Sequence, residues 1–159
     1  MIYFLDTEFN GFGGELMTLA LVREDGESLY LKYEISFPVE DWVAQNVVPI
    51  IDVGEAPVSV SQEGGARAIE SFLRGDDLPQ IVTDWPDDVR HFCSAVIVGP
   101  GTMVGIPGIR FDVVRVDAYP TTLEDAVQHN ALWDARALMH HMTVEALEIA
   151  EAWQGVDAI

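Results

Sequence analysis

Residues 1–37 read MIYFLDTEFNGFGGELMTLALVREDGESLYLKYEISF, and this stretch decides the fold class. Residues 1–5 form a short apolar run of strand type that ends at Asp6. Residues 15–22 follow as a second strand. Glu24-Asp25-Gly26 then reads as a tight hairpin turn into a third strand at 28–37, which Pro38 breaks. Three strands joined by short connections predict an antiparallel start to a sheet.

Working outward, the pattern changes from strand to helix. Residues 41–48 suit a short helix with Asp41 available as N-cap. Residues 61–73 carry a capping serine and then Ala66, Ile69, Phe72 and Leu73 at helical spacing. Residues 80–83 read as a short strand, and Pro86 opens a helix towards Val96, proline being welcome in a first helical turn. Gly/Pro punctuation predicts a loop at 99–108, alternation predicts a strand at 109–116, and the stretch 123–152 reads as helix. Antiparallel strands followed by helices alternating with single strands predict an α/β fold: a mixed sheet flanked by helices. In such sheets the polar residues at strand ends and helix starts converge in a crevice.

Composition bounds the rest. A chain of 159 residues, 49% of them hydrophobic, predicts a single domain over 1–159 with a real core. No apolar run reaches the ~20 residues of a membrane span. The start MIYFLDTEF lacks the basic flank of a signal peptide. One cysteine, Cys93, rules out an internal disulfide framework and suits a reducing, cytoplasmic setting with no membrane partner. The formal charge of −19, from 27 acidic and 8 scattered basic residues, excludes the long basic groove of a duplex binder. It predicts weak, salt-sensitive binding to any nucleic acid and argues against a processive DNA enzyme. A site that holds divalent cations would supply positive charge at a phosphate in place of side chains.

Three clusters carry chemistry. In Asp6-Thr7-Glu8 the two carboxylates are two apart on a strand and face one side. Like charges so placed are costly unless a divalent cation neutralises them. Alone, a D-x-E is short and common and reads equally as a solvated strand end. QHNALWDARAL holds His129 and Asp134 five apart, about one and a half helical turns. They converge only if His129 precedes the first turn, and otherwise they are an exposed His and a polar-stripe Asp. IVTDWPDDVRHF sets Asp84, Asp87 and Asp88 at a helix start, where the dipole favours one or two carboxylates but capping does not need three. The pair His140-His141 offers no joint ligand site, because adjacent helical residues do not face each other.

In this order along the chain, the clusters resemble the DEDDh 3′→5′ exonuclease superfamily, which includes RNase T and oligoribonuclease. FLDTEFNG looks like the first motif and HNALWDARAL like the third, over nearly the whole chain; the DTEF opening and WVAQNVVPII are most similar to small bacterial and phage exoribonucleases of the RNase AS type. The second motif departs from the usual pattern. Asp88 is the preferred ligand there, since a helix starting at it would bury Val89 and Phe92; Asp84 is second and Asp87 third.

The resemblance implies an RNase H-like fold and two Mg²⁺ or Mn²⁺ ions held by Asp6, Glu8, Asp88 and Asp134, with Asp6 bridging. It implies His129 as general base for a 3′→5′ exoribonuclease that releases nucleoside 5′-monophosphates from single-stranded RNA, DNA being the alternative substrate. Thr7, Phe9 and Asn10 would contact the terminal nucleotide, with Phe9 stacking on a base or else belonging to the core. Trp85 and Trp133 are further stacking platforms or half-buried helix residues. A homodimer is implied as well. A non-catalytic acidic module on the same fold is the competing class.

Overall fold

A computed structural model describes residues 1–106, 108–116 and 123–154, with side chains described through Val144. The first strand, β1 (Ile2–Phe9), pairs antiparallel with β2 (Leu16–Arg23), which pairs antiparallel with β3 (Ser28–Tyr33). A short strand, β4 (Val58–Val60), adds parallel to β3. On the other side β5 (Gln80–Thr83) lies parallel to β1, and β8 (Arg110–Val113) lies parallel to β5. The order β4-β3-β2-β1-β5-β8 is that of an RNase H-like mixed sheet.

Among the described residues four helices flank it: α1 (Asp41–Asn46), α2 (Gln62–Phe72), α3 (Pro86–Ala95) and α4 (Ala131–Gln154). Alternation along β1 sorts the two faces. Tyr3 and Leu5, with Leu19, Leu21 and Ile81, pack on Ile69 of α2 and Phe92 of α3. Phe4, with Ala20, Val22 and Val82, packs on Leu132, Ala135 and Leu138 of α4. A smaller cluster seats Val43 of α1, with Val47 and Ile51 that flank the 3₁₀ turn after it, on Met17.

Several boundaries differ from the expectation, each for a local reason. β1 does not end at Asp6 but runs to Phe9, with its register broken between Glu8 and Phe9, so both carboxylates lie inside the strand. The third strand stops at Tyr33, short of 37. Asp41 is the first residue of α1, and Glu40 occupies the cap position. Ser61 does cap α2, its Oγ accepting from the Gly64 N–H at 3.1 Å. The last helix begins at Ala131, not at 123, because Asp125 and His129 both take φ of 64°, which no α-helix admits. A small hairpin of β6 (Ile97–Gly99) and β7 (Thr102–Met103) occupies part of the segment expected as loop, of which Pro107 lies outside the described residues. β4 was not expected at all: three residues after Pro57 carry too little pattern.

Candidate metal centre

Because even-numbered β1 residues face α4, Asp6 and Glu8 project towards the helix that carries Asp134. One carboxylate oxygen each from Asp6, Glu8 and Asp134 lies within 4.8 Å of the other two. A second such trio comprises Asp6, Asp84 and Asp88, again within 4.8 Å. Asp6 belongs to both. Its Oδ2 is buried and accepts no hydrogen bond from any described residue. A buried carboxylate oxygen without a donor is costly, and either a proton or a bound cation would relieve that cost.

The electrostatics agree with the geometry. Burial first, then the charges of Asp88, Asp134, Glu8 and Asp84, hold the Asp6 carboxyl well above the usual carboxylate range. Burial and the nearby Asp134 and Asp88 push Glu8 up to about 8. Burial raises Asp84 as well. Asp88 is raised to about 7 by burial, against hydrogen bonds that oppose the shift. Those bonds come from the Thr7 hydroxyl at 2.6 Å and N–H at 3.2 Å, both to Oδ1, and from the Thr83 hydroxyl at 2.5 Å to Oδ2. Each oxygen retains acceptor capacity, since a carboxylate has about four lone-pair sites. Oxygen-only donors in this number suit Mg²⁺, Mn²⁺ or Ca²⁺ rather than Zn²⁺.

His129 precedes the first turn of α4, the condition under which the spacing brings it to Asp134. Its N–H donates to Asp134 Oδ2 at 3.0 Å, and its ring meets the Trp42 ring edge-on, centroids 5.2 Å apart. Asn130 fixes the junction. Its Oδ1 accepts from the Trp133 N–H at 3.3 Å, capping α4, while its Nδ2 donates to the carbonyls of Ile50 at 2.8 Å and Ile51 at 3.2 Å.

These groups line one cleft of about 1080 Å³. Aromatic surface surrounds the carboxylates: Phe12 is 99% exposed, Trp42 56% and Trp85 57%, and all three line the cleft. Of these, sequence reasoning named only Trp85. Phe12 and Trp42 were legible only as apolar residues in polar surroundings. Trp133 lies outside the cleft lining, its ring under the Arg136 guanidinium at 5.2 Å.

The remaining expected residues divide. Thr7 reaches the cleft, but its hydroxyl is committed to Asp88. Phe9 lines the cleft with its ring stacked on His91 at 4.7 Å, where burial, aided by Arg90, lowers the imidazole to about 4 and keeps it neutral. Asn10 is not part of the lining: its amide donates to the Pro38 carbonyl at 2.9 Å and accepts from the Glu40 N–H at 2.8 Å, tying the β1–β2 connection to the entry of α1. Asp87 belongs to neither trio and pairs with Arg90 at 2.9 Å.

No protein-family model matches this chain, and no curated protein matches it. The functional reading therefore rests on the site and on the motif likeness of its residues.

Proposed function

We propose that the protein is a divalent-cation-dependent 3′→5′ exonuclease of DEDDh type acting on single-stranded RNA. The observation that carries this reading is the shared, buried Asp6: one carboxylate common to two trios of oxygen donors, with an oxygen no described group satisfies. Bound there, two divalent cations would neutralise the carboxylates and stabilise charge on the attacking and leaving oxygens of a phosphodiester. Asp6, Glu8 and Asp134 would hold one, and Asp6 with Asp84 and Asp88 the other.

The chain's own residues supply the remainder. His129 lines the cleft with its backbone N–H bound to Asp134, which supports a role for its imidazole as acceptor of the attacking water's proton. Thr7 and Thr83 orient Asp88. Phe12, Trp42 and Trp85 offer flat surfaces on which bases stack, a contact worth roughly 1–3 kcal/mol per base and indifferent to sequence. RNA is preferred over DNA on the likeness of FLDTEFNG and HNALWDARAL to the exoribonucleases, and a homodimer on the same ground.

The test is digestion of a 5′-labelled single strand, RNA beside matched DNA, with and without Mg²⁺ or Mn²⁺. A cation-dependent ladder shortening from the 3′ end, lost in Asp6→Asn, is the expected result. Folded protein that cleaves neither strand under either cation would replace the enzyme with an acidic binding module.

A further inference from the structure

A phosphodiester strand brings one negative charge per linkage into a cleft that presents seven carboxylates. Cations at the two trios would compensate the scissile phosphate. Elsewhere in the lining, among the described residues, one guanidinium stands against those carboxylates, that of Arg115. It is exposed and lies two residues past the end of β8. Five of the eight basic side chains, those of Arg23, Lys32, Arg67, Arg90 and Arg136, are held in ion pairs with acids of this chain. Arg115 makes no ion pair or hydrogen bond with a described residue, although acids abound around it.

Its place in the sheet gives it a direction. Across the sheet the order is β1, β5, β8, at ~4.8 Å per step. Asp6 and Glu8 sit on β1 beside Asp134, and His129 lies on the α1 side of them, its ring against Trp42 and its neighbour Asn130 bound to the Ile50 and Ile51 carbonyls; Asp84 follows β5 and Arg115 follows β8. The base therefore stands on one flank of the carboxylates and the guanidinium on the other. In a displacement at phosphorus the attacking and leaving oxygens are roughly in line, on opposite sides. With water activated on the His129 flank, the leaving 3′-oxygen and every nucleotide upstream of it point over β5 towards β8.

Resting on the exonuclease reading, we infer that Arg115 binds a phosphate of the retained strand, 5′ to the scissile linkage. The substrates are then oligonucleotides carrying at least one phosphate beyond the one that is cut. The guanidinium also sets the polarity with which a strand enters an otherwise repulsive cleft.

The test compares the full chain with Arg115→Gln on unmodified strands and on strands carrying one neutral methylphosphonate at each of the three linkages upstream of the cut. Loss of a charged hydrogen bond should raise KM about tenfold while kcat stays within a factor of two. It should also reduce the slope of log KM against log salt by about 0.7, the value for one phosphate contact on a single strand. One methylphosphonate position should cost the unsubstituted protein the same factor and cost Arg115→Gln nothing more. An unchanged KM, or methylphosphonate losses equal in both proteins at every position, overturns the assignment. If no strand is cleaved, the exonuclease reading falls, and fluorescence anisotropy with a labelled strand in Ca²⁺ decides Arg115 separately. Weaker binding by Arg115→Gln keeps the phosphate contact, and equal binding removes it.

Discussion

Asp6 and Glu8 are held protonated or unsatisfied by their neighbours, and this gives the cation-free protein a pH dependence of definite sign. Glu8 titrates near 4.5 in an unfolded chain and at about 8 in the fold. Between those values the folded state keeps a proton that the unfolded state has released, so stability falls as pH rises through the window. Thermal unfolding in EDTA should give a Tm that declines from pH 5 to pH 8. Saturating Mg²⁺ or Mn²⁺ should raise Tm more at pH 8 than at pH 5, because cations and protons compete for the same oxygens. Asp6→Asn should raise the cation-free Tm at pH 8 by relieving repulsion and should abolish the cation's effect; a lower Tm at pH 8 would show that the Asp6 charge is already compensated within the chain. At this scale the sequence was informative. D-x-E on an apolar strand and H-x₄-D at a helix start named four of the groups, since their spacing is read along a single element. Which of Asp84, Asp87 and Asp88 joins them depends on Thr7 and Thr83, which reach Asp88 across 81 and 5 residues and leave no local pattern.

The start of α4 is the element on which the site turns. His129 can leave the helix only through its φ of 64°, and Asn130 holds that departure by capping α4 and by binding the Ile50 and Ile51 carbonyls. Asn130→Ala removes the cap and strips two carbonyls of their donor, which should cost about 2 kcal/mol in urea unfolding. On the exonuclease reading the same substitution should also lower turnover, since it frees the backbone of His129, the proposed base. A change below about 0.5 kcal/mol would mean that water replaces the amide. His129→Ala should lose most activity yet bind Mn²⁺ as before; loss of Mn²⁺ affinity in calorimetry would make the imidazole a ligand instead of a base. The long apolar stretch behind this junction was legible as helix, but its start was misplaced by eight residues: the cap, Asn130, stands directly before Ala131, and the positive φ of Asp125 and His129 that keeps the preceding residues out of the helix leaves no pattern in the sequence. β4 stayed invisible for a related reason: it is held by pairing to β3, not by its own three residues.

For the whole molecule, a formal charge of −19 sets how a polyanion can bind. With one guanidinium among the described residues of the cleft lining, affinity for a single strand should depend on monovalent salt with a slope of magnitude near 0.7, and far more steeply on Mg²⁺ or Mn²⁺. Titrating KCl at fixed Mn²⁺ measures it; a slope of magnitude above about 2 would require further basic contacts. The mixed sheet was foreseeable at this scale, because three antiparallel strands followed by alternating helix and strand leave few arrangements. The aromatic surround of Phe12 and Trp42 was not, since it depends on where two separate connections meet.

The two ends of the described chain meet at the centre: Asp6 and Glu8 lie on the first strand, Asp134 on the last helix. During synthesis the hairpin of β1 and β2 can form early from local contacts, but the trio that includes Asp134 cannot close until α4 docks against β1 and β2. A growing chain thus carries Asp134 apart from Asp6 and Glu8, and the docking of α4 and the closing of that trio become the same event.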